Sequence, residues 1–498
     1  MYPKRSIFYS ALMLTGVHLL LRVIGTSFQI YLSGRIGAEG IGLLQLTLSA
    51  GSLAMVAGIA GIRTASMYLT AEELGRGHPE NTTWVLSGCL RYSIITGGTA
   101  ATVLILMAPT IAAHWIADER VRSCLSLFAG FMCVNCLCGV MTGYFTAEGK
   151  IGTLAAVEVA EQLFSMVITV LCLWLWAGTD PGRACESVIL GSGAGACMTL
   201  ICLLTLRLRQ RNTPGPRIPV ASRLASTALP LAFADIIRSG ISTAENMLVP
   251  KRLALYPGTT RPLATFGILT GMVFPVVMFP ACILHGLSDL LIPELARCNA
   301  AGNTNRIRYL VSRCLGAALI YGLFFGCMLH LVGENLAEAL YNEPEAGRLL
   351  RGYALLIPML YCDALVDAMT KGLGQQRVCV RYNIITSALD VAGLFFLLPQ
   401  LGMKGYFISF LVTHAINFLL SFNRLILITK IQIPLTEPGK CMVAAFLGLW
   451  VCGHAPGPVI RIVGFPTIFL GLLFIFGVLN RDRLRWLKGI LHLRFEAK

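Results

Sequence analysis

Residues 7–32 read IFYSALMLTGVHLLLRVIGTSFQIYL, an apolar run whose one charged side chain, Arg22, stands past its middle. About 20 apolar residues in a helix cross the ~30 Å of hydrocarbon in a bilayer. A guanidinium at that depth costs roughly 2.5–3.5 kcal/mol on insertion scales, and such residues mark ion or substrate paths. This stretch therefore predicts an integral membrane protein of α-helices and makes Arg22 the first candidate for its working site. Lys4 and Arg5 ahead of the run imitate a secretory signal. The run is longer than a signal core of ~7–15 residues and shows no convincing small-residue cleavage site, so it reads as an uncleaved first span.

The rest of the chain repeats the pattern. Of 498 residues, 56% are hydrophobic and 13% charged, against roughly 45–50% and 25% in soluble domains. Apolar runs recur near residues 7–32, 41–70, 84–113, 123–146, 151–177, 185–206, 224–249, 262–293, 309–333, 349–370, 379–400, 404–428, 439–453 and 459–480. That makes about fourteen membrane spans by the length criterion. Arg63, Glu158, Glu161, Asp235, Arg238, Glu245, Asp289, Asp363, Asp367 and Asp390 also lie inside or at the ends of these runs.

A net charge of +15 would suggest nucleic acid in a soluble chain. Here the basic residues alternate from loop to loop. Lys150, the cluster from Arg207 to Arg223, Arg297, Arg306, Arg308, Arg313, Lys371, Arg377, Arg424 and Lys430 fall on one side, and the acidic loop from Glu334 to Glu345 on the other. By the positive-inside rule the charge orients the chain with both termini cytoplasmic, and nucleic acid is set aside as a partner. In the tail 481–498, Leu484, Leu487, Leu491 and Phe495 interleave with Arg481, Arg485, Lys488 and His492. That pattern reads as an interfacial amphipathic helix on anionic membrane lipid, the alternative being a solvated basic end.

Most of the 17 cysteines lie within apolar spans, where they act as small hydrophobes. Cys133, Cys136 and Cys138 lack a histidine or second pair to complete a tetrahedral site, so no metal is expected. Gly439-Lys440-Cys441 has neither the glycine spacing nor the hydroxyl of a phosphate loop. Gly191, Gly193 and Gly195 lie inside an apolar run, where small residues serve close helix packing. No enzyme motif and no cofactor is therefore expected, and transport across the bilayer is the stronger class of function. Val140-Met141-Thr142-Gly143 closes the fourth run and Ala368-Met369-Thr370-Lys371-Gly372 the tenth, each followed by a run bearing an acid, Glu161 or Asp390. Six spans apart and equally oriented, they suggest two parallel repeats about an axis along the membrane normal.

Arg22-Val23-Ile24-Gly25 followed by Arg35-Ile36-Gly37-Ala38-Glu39-Gly40-Ile41-Gly42-Leu43 resembles the multidrug/oligosaccharidyl-lipid/polysaccharide (MOP) exporter superfamily, in its polysaccharide-biosynthesis and lipid-flippase branch. Further segments agree in order: Gly143-Tyr144-Phe145 with Glu161-Gln162 downstream, Leu229-Pro230 with Glu245, Phe279-Pro280 with Leu291-Ile292-Pro293-Glu294, and Gly372-Leu373-Gly374-Gln375. The resemblance implies two six-helix lobes related by a pseudo-two-fold axis, 1–206 and 224–428. A basic cytoplasmic linker 207–223, two additional helices in 429–480 and the tail 481–498 complete the chain.

The resemblance also implies a flippase for an undecaprenyl-diphosphate-linked oligosaccharide or peptidoglycan precursor, serving spore cortex or cell-envelope synthesis and working as a monomer by alternating access. Arg22 matches the family by position and depth, and Arg63 and Arg238 join it by depth, as guanidiniums for the polyprenyl-diphosphate-linked glycolipid. Permanent pairing of these arginines with Glu161 or Glu245 is the architectural alternative. Glu161, Gln162 and Glu245 match family positions and would either neutralise those arginines, contact sugar hydroxyls and amides, or couple a proton or cation. A cation-coupled multidrug antiporter, and a membrane glycosyltransferase or assembly scaffold, are the competing functions. Phe28 stands where lipid II flippases of the MviN family carry a second arginine, and Pro275 and Met278 stand near their later Arg and Glu, which leaves the glycan open.

Overall fold

Gly37, at φ 71° and ψ 175°, breaks the first helical run at the junction of the first two expected spans. That backbone conformation is open to glycine and strained for other residues. The helix on either side is α1 (Lys4–Ile59), and α2 (Ile62–Gly75) begins directly after Gly61. The computed structural model describes residues 4–59, 61–178, 180–209, 220–431, 436–455 and 457–479. Most of the expected linker 207–223 and the whole expected tail 481–498 lie outside the described residues.

The chain continues through α3 (Thr82–Thr110), α4 (Arg120–Ala147), α5 (Ile151–Cys172), α6 (Pro181–Leu208), α7 (Ala221–Leu253), α8 (Pro262–Ile268), α9 (Phe274–Met278) and α10 (Ala281–Ala300). It ends with α11 (Thr304–Tyr341), α12 (Pro344–Ala354), α13 (Ile357–Gly372), α14 (Gln376–Leu401), α15 (Met403–Thr429), α16 (Thr436–Gly453) and α17 (Pro458–Ile475). Among the described residues there is no strand. Hydrocarbon offers no water to backbone N–H and C=O groups, so a spanning segment must bond them internally, and a helix does so. The outward faces are accordingly apolar, with Trp174, Leu175 and Phe474 exposed.

The protein is an all-α, multi-pass membrane protein. Among the described residues nine helices are long and apolar enough to cross a membrane, or up to eleven if each bent pair is one span. All fourteen expected segments fall on helix, yet the count differs for identifiable reasons. The first two run together from Leu19 to Gly75, and α7 and α16 fall outside the criterion. α7 carries Arg223, Asp235, Arg238, Glu245, Lys251 and Arg252, and α16 carries Glu437 and Lys440. The bends are 63° at Phe279 and Pro280, and 58° between α12 and α13, just before Pro358. A proline removes a backbone donor and crowds the preceding turn, which explains both sites.

Contacts divide the chain into two units, residues 1–272 with 387–409, and residues 273–386 with 410–498. In the first unit α4 supplies two cores: Leu125, Ala129 and Met132 join Ile41, Leu44 and Leu104, while Met141, Tyr144 and Phe145 join Ile62, Leu69 and Leu203. In the second, α11 packs Leu331 and Val332 against Ala444 of α16 and Phe465 and Phe469 of α17.

The two similar segments occupy comparable helix contacts. A Cβ on Gly143 of α4 would overlap the Arg63 carbonyl oxygen of α2, and one on Gly372 of α13 would stand 2.9 Å from the Ile292 carbonyl oxygen of α10. Both glycines let one helix backbone touch another, the second instance six expected spans after the first. Gly143→Leu and Gly372→Leu should each cost about 1–3 kcal/mol or more through overpacking, read as a lowered melting temperature in detergent. Gly191 and Gly195 face Thr169 and Ser165 of α5, and Gly193 faces the Phe131 ring, so this series serves packing.

Candidate functional site

Arg22 lies on α1 with its side chain exposed. No hydrogen bond or ion pair joins it to another described residue. Gly25, one turn further along α1, faces α5: a Cβ there would stand 3.9 Å from Gln162 Nε2. The structure thus brings the Arg22 turn and Gln162 into one neighbourhood. Phe28, where a second arginine would stand in the MviN family, is half-buried and stacks on Tyr31 at 6.0 Å between ring centres.

Glu161, adjacent to Gln162, turns the other way. Its Oε2 accepts a hydrogen bond from Thr199 Oγ1 of α6 at 2.7 Å. Thr199 continues the face of Gly191 and Gly195 at i+8 and i+4, a helical spacing that would have revealed it as a partner. Arg63 is the second residue of α2, exposed, and Arg238 is exposed on α7 beside exposed Asp235. Neither arginine forms an ion pair among the described residues. The architectural alternative, in which Glu161 or Glu245 holds an arginine permanently, is not what the described residues adopt.

Glu245 instead meets another acid. Its carboxyl group faces that of Asp390 on α14. Asp390 is buried and accepts from Ser409 Oγ of α15 at 2.6 Å. Two carboxylates this close repel, whereas a carboxylic acid can donate to a neighbouring carboxylate. Around them α7 is fixed to α1: Thr243 Oγ1 donates to the Ser49 carbonyl oxygen and Asn246 Nδ2 to Ser49 Oγ, both at 3.0 Å. The sequence marks Asp390 and Glu245 as intramembrane acids without indicating that they meet.

The other two aspartates have separate partners in the second unit. Asn417 Nδ2 donates to both oxygens of Asp363, at 3.2 and 3.1 Å, and Lys371 pairs with Asp367 at 2.5 Å. A side-chain amide thus satisfies the Asp363 carboxylate. Among the described residues no group of three or more His, Cys, Asp or Glu is placed to hold a metal ion.

Arg223, expected within the basic linker, begins α7 and is held by two acids of α2. Its guanidinium donates to Glu72 at 2.6 Å and Glu73 at 2.8 Å, and Asn81 Nδ2 donates to Glu73 at 3.0 Å. The Glu73 side chain is only 3% exposed. Removing one partner of a buried pair costs about 3–5 kcal/mol, so Arg223→Ala should lower thermal stability in detergent, whereas Arg209→Ala, exposed at the end of α6, should not.

The MatE family model matches residues 230–396. Stage V sporulation protein B of Bacillus subtilis (strain 168) is 21% identical over 511 residues, covering 97% of this chain and 98% of that protein. Sporulation protein YkvU of the same organism is 21% identical over 292 residues, covering 55% of this chain and 64% of YkvU. Among solved structures, lipid II flippase MurJ in an inward closed conformation superposes with a TM-score of 0.68 at 11% identity, covering 93% of this chain and 98% of that one. The inward-facing conformation of a multidrug resistance MATE family transporter of the MOP superfamily gives 0.67 at 13% identity, covering 84% of this chain and all of that one.

The helical membrane fold is shared with solved flippases and transporters, and one curated relative matches the chain from end to end. The chain is similar along its length to stage V sporulation protein B, and its residues 230–396 match the MatE family.

Proposed function

We propose that the protein is a flippase carrying an undecaprenyl-diphosphate-linked oligosaccharide or peptidoglycan precursor across the cytoplasmic membrane, for spore cortex or cell-envelope synthesis. The observation that carries this reading is that Arg22, Arg63 and Arg238 lie exposed on membrane helices without a carboxylate partner among the described residues. A lipid diphosphate must shed hydration to leave one headgroup layer, and guanidiniums replace that hydration with bidentate, charge-assisted hydrogen bonds. Gln162, beside the Arg22 turn, offers an amide for the sugar, while Glu161 is held by Thr199 on the α6 side. The relatives add chemistry of the same kind: one is a sporulation protein and one a lipid II flippase.

In this reading both termini are cytoplasmic by the positive-inside rule, and the lobes 1–206 and 224–428 alternate access to the cargo. The Glu245–Asp390 pair supplies a protonatable element for that cycle. The same pair favours a second reading, a proton-coupled antiporter of small organic cations. Depletion separates the two. The flippase reading expects a lipid-linked sugar to accumulate on the cytoplasmic face; an unchanged lipid pool with lost efflux of organic cations would assign the protein to the antiporters.

A further inference from the structure

Where α11 begins and α15 stops, in the second unit, Arg308, Tyr309, Ser312, Arg313, Lys430 and Ile431 line an open recess of about 610 Å³. Its size lies within the ~300–1,000 Å³ of small-molecule sites, but those are lined mainly by apolar groups. This wall is cationic. Arg308 Nε donates to the Thr429 carbonyl oxygen at 2.9 Å, one of the carbonyls that a helix end leaves without an intrahelical partner. That bond fixes the side chain and leaves the terminal guanidinium nitrogens available to a ligand.

Arg313 and Arg306 lie 5.5 and 5.7 Å from the centre of the Tyr309 ring. These cation–π contacts hold two positive charges in place without neutralising them. Lys430 has a φ of 51°, a left-handed conformation strained for a long side chain. Its amide nitrogen donates to the Ile426 carbonyl oxygen at 2.8 Å, closing α15. None of Arg306, Arg308, Arg313 or Lys430 forms an ion pair among the described residues.

Three cations around one recess, Arg308, Arg313 and Lys430, repel each other unless an anion joins them. Two planar guanidiniums, an ammonium and the Ser312 hydroxyl together suit the several oxygens of a phosphate group. The cavity sits at the ends of membrane helices, where basic pockets meet lipid headgroups. We infer that this cavity binds a phosphate-bearing anion, supplied by an anionic phospholipid headgroup of the surrounding leaflet or by a soluble polyphosphate. The site is separate from Arg22, Glu161 and Glu245, and the inference does not depend on the cargo being a glycolipid.

The test is native mass spectrometry of the full chain in neutral detergent, titrated with dioleoyl phosphatidylglycerol, dioleoyl phosphatidylcholine or inorganic pyrophosphate. Arg313→Gln combined with Lys430→Gln should weaken phosphatidylglycerol binding about 30-fold, from the loss of two cations at an anionic headgroup. Ser312→Glu, which puts a carboxylate in the cavity and removes no cation, should weaken it in the same direction. Arg297→Gln combined with Arg377→Gln, an equal change of charge at exposed positions outside the cavity, should leave binding unchanged. Selective retention of phosphatidylglycerol that pyrophosphate does not displace identifies the bilayer as the source; displacement by pyrophosphate identifies a soluble one. Equal retention of phosphatidylglycerol by both cavity variants and the unmodified chain, or equal binding of phosphatidylcholine and phosphatidylglycerol, would overturn the inference.

Discussion

Arg22→Ala should reduce turnover of a polyprenyl-diphosphate-linked sugar by about two orders of magnitude while the protein inserts and accumulates as before. Truncating one partner of a desolvated, hydrogen-bonded charge pair costs about 2–5 kcal/mol, which sets the size of the loss. The fold should not suffer, because Arg22 has no ion pair among the described residues and an arginine within a span disfavours insertion by roughly 2.5–3.5 kcal/mol. Arg22→Lys retains the charge and loses the planar fork, so it should keep only part of the activity. In situ crosslinking and flux measurements on the same membranes separate abundance from turnover. Normal flux through Arg22→Ala would remove the diphosphate contact from the proposal.

The second large effect is expected at Glu245. In Glu245→Gln the amide can donate to Asp390, so the link between α7 and α14 is kept, but the pair can no longer exchange a proton. Transport by this variant should be slow, and less dependent on pH than that expected of the unmodified protein. Glu245→Leu removes the link as well and should lower stability by about 1–3 kcal/mol, the cost of leaving a buried polar group short of a partner. A Glu245→Gln profile that rises and falls with pH in parallel with the unmodified chain would reduce the pair to a structural contact.

Much of the helical plan is legible in the sequence. The polar gap after residue 32 holds the Gly37 break, whereas the Val140–Gly143 and Ala368–Gly372 segments, read from sequence as a repeat, gain their backbone-to-backbone contacts from the fold. Hydropathy works here because the bilayer forces each span to satisfy its own backbone, leaving the pattern local. Partner choice is not local. Glu245 could have met Arg22, Arg63 or Arg238 by charge alone, and it meets Asp390 because α7 and α14 are neighbours in the first unit.

The motif from Arg35 to Leu43 shows a different lesson. Its order and spacing resemble the family, yet its residues work in packing and turn formation: Gly37 breaks the helix, Glu39 pairs with Arg120 at 2.8 Å, and Gly42 abuts the backbone of Leu263. A family signature therefore marked the fold more than the site. Arg308, Arg313 and Lys430 were legible only as charges that orient the chain; the cavity they share depends on α11 and α15 ending side by side.

The central claim is movement of a lipid diphosphate, and reconstitution tests it most directly. Purified protein would be placed in liposomes carrying a polyprenyl-diphosphate-linked sugar, and transfer between leaflets followed by access of a membrane-impermeant sugar-modifying reagent. The proposal predicts transfer above that of protein-free liposomes, suppressed by Arg22→Ala. Transfer no faster than in protein-free liposomes, with small organic cations carried across the same membranes instead, would contradict it.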